Sequence, residues 1–160
     1  MNGKSLGMKE KDGDDLHVMW RVVYESGVIK AVSLKNGKKV LTQEIKTAGA
    51  PSKIILSADR NKIDADGSDL SFITVSITDK DGNVVPGANN LIHYNITGEG
   101  SIAGLDNGSE TDLESFKGVQ HKTFNGLGLA VIQSNGNKGK INLQASADGL
   151  QPAGIEIKAE

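Results

Sequence analysis

Nine dipeptides of the form Asn-Gly or Asp-Gly punctuate this chain. Asn-Gly stands at 2–3, 36–37, 107–108, 125–126 and 135–136; Asp-Gly stands at 12–13, 66–67, 81–82 and 148–149. Such pairs tolerate positive φ, which the type I′ turns of tight β-hairpins require. A chain that reverses this often has room for short strands and little else. The segments between the turns alternate with a period of two, as half-buried strands do. Leu16, Val18, Trp20, Val22 and Tyr24 fall on one face of such a segment, with His17, Met19 and Arg21 on the other. Ile73, Val75 and Ile77 alternate with Thr74, Ser76 and Thr78. Ile92, Tyr94 and Ile96, then Ile141, Leu143, Ala145 and Ala147, then Ile155 and Ile157 repeat the pattern. No window carries a helical stripe; ETDLESFK at 110–117 has room for one short helical turn at most.

Many short strands with regular turn signals indicate an all-β fold, an Ig-like antiparallel β-sandwich. TAGAPS at 47–52 separates two strand sets. The expected organisation is therefore 1–48, the C-terminal strands of a truncated Ig-like domain, and 49–160, a complete Ig-like sandwich. The first set is expected to hold about four strands, with its early strands outside this sequence. An incomplete sheet leaves an edge open, and edge-strand self-association is an expected consequence.

Composition narrows the chemistry. The formal net charge is −2 and the lysines are scattered, which argues against a nucleic-acid partner, since phosphate contacts need clustered Lys and Arg. No apolar run approaches the ~18 residues of a membrane span. MNGKSLGMKEKDGDD lacks the apolar core of a signal peptide. The chain has no cysteine, so disulfides, thiol catalysis and zinc–thiolate sites are out of reach. With aromatic residues at 4%, few rings are available for a sugar-stacking face.

The acidic stretch IDADGSDLSFITVSITDKDGN at 63–83 poses the main question about a site. Read as an EF-hand from Asp64, it puts Asp69 where Gly is needed and Thr74 where the bidentate Glu belongs. From Asp79, Val84 and Asn90 fall at those positions. Both registers fail, so Asp64, Asp66, Asp69, Asp79 and Asp81 read as turn formers, with a calcium site shared between loops as the minor alternative. His17, His93 and His121 show no metal-ligand spacing with one another and read as solvated surface residues. No serine sits in a nucleophile elbow. GEGSIAG at 98–104 lacks the Lys-Ser/Thr ending and following helix of a phosphate loop. No catalytic, cofactor or metal residue is assigned. Trp20 reads as the large core ring of the first sandwich. Phe72 reads as a break in its strand's alternation, plugging the junction of the modules or covering the base of the second sandwich. Residues 98–120 read as the longest stretch without strand periodicity, with Leu113 and Phe116 as packing anchors.

The order of several segments resembles a known family. NGKSLG at 2–7, WRVVY at 20–24, GVIKAVSLKNGK at 27–38 and IKTAGAPSKIILSADR at 45–60 resemble the Ig-like domain behind the catalytic barrel of family 2 glycoside hydrolases, of the β-galactosidase type found in Bacteroides-like bacteria. DADGSDLSFITVSITDKDGNVVPGANN at 64–90, GLDNGS at 104–109 and TFNGLGLAVIQSNGNKGKINLQASADGL at 123–150 resemble the C-terminal Ig-like domain of those enzymes. The resemblance implies an accessory region without the barrel's two catalytic glutamates. Its partners would be the catalytic and upstream domains of the parent, with glycan as a further candidate. The parent would be periplasmic or extracellular and would cleave O-glycosyl bonds of glycans. Two other readings compete: an invasin-like Ig-like adhesion module, disfavoured because residues 1–48 do not repeat 53–159, and a carbohydrate-binding module, disfavoured by the low aromatic content.

Overall fold

The computed structural model describes all 160 residues, Met1–Glu160. The chain separates into two compact units, Met1–Thr47 and Ala48–Glu160.

The first unit is built on one hairpin, β1 (Val28–Lys35) and β2 (Lys38–Lys46). Asn36 and Gly37 form its turn with φ of 51° and 74°. Positive φ at both central residues is the type I′ geometry whose twist matches that of paired strands. Lys30 lies opposite Glu44, and their side chains meet at 2.8 Å. The Asn2–Gly3 turn is stitched to the start of β1. Asn2 N donates to Val28 O, and Val28 N donates to Asn2 Oδ1 at 2.7 Å.

Two expectations fail in this unit. It has two strands rather than about four, because Leu16–Tyr24 forms no ladder. Alternation gives a segment two faces, but a strand also needs a partner for its backbone amides and carbonyls, and this stretch finds none within the chain. Trp20 is accordingly no core ring: it is 38% exposed, with Lys9 Nζ 5.7 Å from its ring centroid, within cation–π range.

The second unit is an all-β sandwich of Ig-like type, and it contains the core. Its strands are β3 (Lys53–Ala58), β4 (Lys62–Ile63), β5 (Leu70–Thr78), β6 (Leu91–Gly98), β7 (Gly100–Asp106), β8 (Gln120–Lys122), β9 (Leu127–Ser134), β10 (Gly139–Ser146) and β11 (Ala153–Ala159). One sheet has the order β3-β5-β9-β7, the other β4-β11-β10-β6-β8. All pairings are antiparallel except β11 with β4. The chain changes sheets between β3 and β4. There Asp59 Oδ1 accepts the amides of Arg60 and Phe72, both at 2.8 Å.

The inward face follows the sequence alternation closely. Ile73, Val75 and Ile77 of β5, Ile92 of β6, Ile132 of β9 and Ile141 and Leu143 of β10 are fully buried. Burial of such side chains is the main favourable term for a sandwich with no disulfide. Phe72, however, does not break its strand's alternation. Ser71 is the inward residue, fully buried, with its hydroxyl donating to Arg60 O at 2.8 Å. Phe72 stands on the outer face beside Thr74. Ser71 hides the period because a hydroxyl can occupy an inward position once its hydrogen bond is made.

Residues 98–120 also differ from the reading. Gly100–Asp106 is a strand, β7, paired with β9 and bulged between Ile102 and Gly104. The bulge shifts the side-chain register in mid-strand, which is why no period of two is visible there. Leu113 is 98% exposed and Phe116 is exposed, so neither anchors the connection that follows. Backbone and polar contacts hold it instead: Leu105 N donates to Phe116 O at 2.8 Å, and the Lys117 ammonium donates to Ala103 O.

Candidate functional site

The five aspartates of the acidic stretch do not converge on one point. Asp66 Oδ1 accepts the amides of Ser68 and Asp69, and its Oδ2 accepts the Ser68 hydroxyl. Asp69 Oδ2 accepts the Asp64 amide, and its Oδ1 accepts the Leu70 amide. Together they form the turn into β5. Asp79 closes the far end of the strand: its two oxygens accept the amides of Gly49, Asp81 and Asn83 and the Asn83 side-chain amide. Donated backbone amides favour the ionised form, so Asp66, Asp69 and Asp79 are all held below the usual carboxylate range. The Ser68 amide is the largest cause at Asp66, the Asp64 amide at Asp69 and the Gly49 amide at Asp79. These are turn formers, as Asx chemistry predicts. Asp64 and Asp81 hold no comparable network. Asp81 approaches only Lys80, at 3.9 Å, on the surface.

A different cluster is assembled where the sequence showed no pattern. The connection between β7 and β8 carries Asp112 and Glu114, and β8 carries His121. One donor atom from each of the three lies within 4.8 Å of the others. His121 is opposite Ile92 in the β6–β8 ladder and shares its inward direction. Its side chain is 2% exposed, against 11% for Asp112 and 31% for Glu114. The surface reading of the histidines holds for His93, which is exposed, and fails for His121. The cause is tertiary: a three-residue strand aims the ring inward beneath a polar loop.

The loop is organised around these side chains. Asn107 Nδ2 donates to Asp112 Oδ2 at 2.6 Å and to Lys122 O at 3.1 Å. Asp112 Oδ1 accepts the Glu114 amide at 2.8 Å. Glu114 Oε2 accepts the Lys122 amide at 2.9 Å, while Oε1 pairs with Lys122 Nζ at 2.8 Å. These contacts lower both acids, Asp112 chiefly through the Glu114 amide and Glu114 chiefly through the Lys122 ammonium. Lys122 is raised in return by Glu114. Both carboxylates are therefore ionised at neutral pH. A glycosidase general acid needs the opposite, a carboxyl kept protonated by a raised pKa. A mixed set of two carboxylates and one imidazole is instead one that can hold a metal ion. The sequence trace of the cluster is Asp112-x-Glu114 inside the aperiodic run with His121 directly after it, and a search for histidine–histidine spacing misses it.

Elsewhere the second unit has one shallow, open depression, lined by His93, Asn95, Gln144, Ser146 and Pro152 among others. Tyr94 is also among the lining residues but is buried, and burial pushes its hydroxyl well above the ordinary tyrosine range. Tyr94 is the only Phe, Trp or Tyr among the residues that line it.

Comparison with known proteins finds relatives of the chain as a whole. Residues 54–156 match the family described as glycoside hydrolase family 2 C-terminal domain 5, and residues 1–41 match a domain of unknown function (DUF4982). Over all 160 residues the chain is 47% identical to beta-galactosidase BoGH2A of Bacteroides ovatus, covering 19% of that protein. It is 34% identical over 133 residues to a beta-galactosidase of Thermoanaerobacter pseudethanolicus, covering 16% of it. Among solved structures, a beta-glycosidase from Bacteroides vulgatus superposes with a TM-score of 0.91 at 31% identity, over 99% of this chain and 20% of that one. A glycosyl hydrolase family 2 member from Bacteroides cellulosilyticus gives 0.83 at 38% identity, over 88% of this chain and 18% of that one. The chain thus spans under a fifth of the length of the curated relatives it matches.

Proposed function

The chain belongs to the glycoside hydrolase family 2 C-terminal domain 5 family, and from that premise we propose that it is the non-catalytic accessory region of a β-galactosidase-like enzyme. Its role is that of a rigid scaffold that docks against the catalytic and upstream domains of the parent. The observation that carries this reading is coverage: a beta-galactosidase relative matches this chain end to end, yet the match accounts for only 19% of that relative. The residues agree with the coverage. Asp66, Asp69 and Asp79 are committed to turns, and Asp112 and Glu114 are held ionised by their own loop and by Lys122. Neither group supplies a protonated acid facing a nucleophile across a cleft.

The reading is tested on the isolated 160-residue chain and on its parent. The chain alone is expected to give no turnover of a chromogenic β-galactoside, and turnover that survives purification overturns the proposal. Removing the region from the parent is expected to lower the parent's melting temperature. An unchanged melting temperature argues against a scaffold. The proposal also places the parent in the periplasm or outside the cell, where glycans are met; cell fractionation tests that point separately.

A further inference from the structure

His121 carries a buried ring nitrogen with no partner in the protein, and it faces a carboxylate. Nδ1 lies 3.1 Å from Lys122 O, and a carbonyl only accepts, so Nδ1 carries the proton. In a neutral ring Nε2 is then a bare lone pair. It is buried, has no hydrogen-bond partner, and stands 3.7 Å from Asp112 Oδ2. Two acceptor atoms then confront each other beneath the loop, while Glu114 Oε2 lies 3.8 Å from the other ring nitrogen, Nδ1, and one ligand atom from each of the three residues lies within 4.8 Å of the others. A proton acceptor opposite an anion is a mismatch that a cation between them resolves.

We propose that Asp112, Glu114 and His121 bind a single first-row divalent transition-metal ion that clasps the β7–β8 connection onto β8. The donor set fixes the class. Calcium and magnesium favour oxygen ligands throughout, whereas an imidazole beside carboxylates suits zinc and its neighbours. The ring is already oriented as metal-bound histidines are, with the far nitrogen donating to a backbone carbonyl. The Nε2–Oδ2 edge fits after a small contraction: bonds of ~2.0–2.2 Å put tetrahedral ligands roughly 3.3–3.5 Å apart, against 3.7 Å here; Glu114, bounded only by the 4.8 Å span of the three donors, has to draw in farther, toward Nε2. Charge also favours it. Two carboxylates face one ammonium, Lys122, which occupies Glu114 Oε1, so the cluster is anionic when the ring is neutral. Asn107 donates to Asp112 Oδ2 without using its second lone pair, and holds the carboxylate in place. Three protein ligands leave a fourth position for water.

The test uses the 160-residue chain, freed of metal with a chelator and titrated with zinc chloride. Calorimetry is expected to show one zinc per chain. Long-range proton–nitrogen NMR is expected to show the His121 Nε2 resonance moving while Nδ1 keeps its proton, with His17 and His93 unmoved. Asp112→Asn and Glu114→Gln, both at partly exposed positions, are expected to weaken binding by about tenfold or more. The NMR measurement needs no substitution, so it decides the matter even where a variant fails to fold. Four results overturn the proposal: no stoichiometric zinc; movement confined to His17 or His93; affinity unchanged in both variants; or a His121 ring that stays protonated on both nitrogens under saturating zinc. The last would mean that a proton, not a metal, bridges the acids.

Discussion

Asp79 accepts the backbone amide of Gly49 at 2.8 Å, across thirty residues of chain. The same carboxylate closes the β5–β6 turn through Asp81 and Asn83. One side chain thus secures both the strand's exit and the segment that leads into β3. Asp79→Ala is expected to lower the melting temperature by several degrees, because at least two amides lose their acceptor. Asp81→Ala, which removes only an exposed carboxylate, is expected to leave it nearly unchanged. Thermal melts of the two variants side by side check the ranking.

Adjacent residues of β5 give a sharper contrast. Ile73→Ala is expected to cost about 3–4 kcal/mol, since the side chain is fully buried and its loss leaves a cavity. Phe72→Ala, on the outer face and 40% exposed, is expected to cost roughly 1 kcal/mol despite the larger ring. Urea denaturation measures both. Equal costs would mean that Phe72 is covered.

Gly98 has a φ of 96°, and a Cβ built there would stand 1.9 Å from Lys140 O. At this end of the β6–β10 ladder, where Gly98 lies opposite Ile141, there is no room for a side chain. Gly98→Ala is expected to destabilise by ~2–3 kcal/mol, from the strained backbone conformation together with the displaced partner strand. Denaturant titration checks it.

Acid should weaken the second unit through its turns. Asp66, Asp69 and Asp79 have lowered values in the folded chain, and Glu160 is held at about 2 by Lys158 and Lys62. For groups lowered by folding, the unfolded chain binds protons first as pH falls. The stabilisation is therefore complete above the ordinary carboxylate range near pH ~4 and is lost progressively below it. The melting temperature is expected to be flat from neutral pH to about 5 and to drop below ~4. Asp79→Asn is expected to flatten the drop.

Amide exchange should separate the two kinds of alternating segment. Residues 73–77, 92–96 and 141–145 lie in ladders and are expected to exchange slowly. Residues 16–24 have no ladder partner and are expected to exchange fast, at rates set by local exposure. Protection at 16–24 in the isolated chain would mean that it pairs with a second copy through an open edge.

The turns and the strands they delimit were legible because their causes are local. At all nine Asn-Gly and Asp-Gly pairs the glycine has positive φ, and the inward residues of β5, β6, β10 and β11 follow from a two-residue period. Full type I′ geometry, with both residues positive, occurs at Asn2-Gly3, Asn36-Gly37 and Asn125-Gly126 only. In several of the others the Asp or Asn side chain accepts amides of its own turn, as Asp66 does. Other features were not written locally. A buried Ser71 looks like a defect until its acceptor, Arg60 O, is brought alongside by the change of sheet. The bulge in β7 erases a period that the ladder with β9 maintains. The pattern of residues 16–24 specifies two faces but no partner. His121 reads as a surface residue because nothing in its neighbours reports that β8 turns it inward. Asp112 and Glu114 reach it only when the loop folds back over that strand. Periodicity and turn chemistry belong to single segments, so the sequence alone determined them; burial and the meeting of distant side chains belong to pairs of segments, so only the tertiary structure decided them.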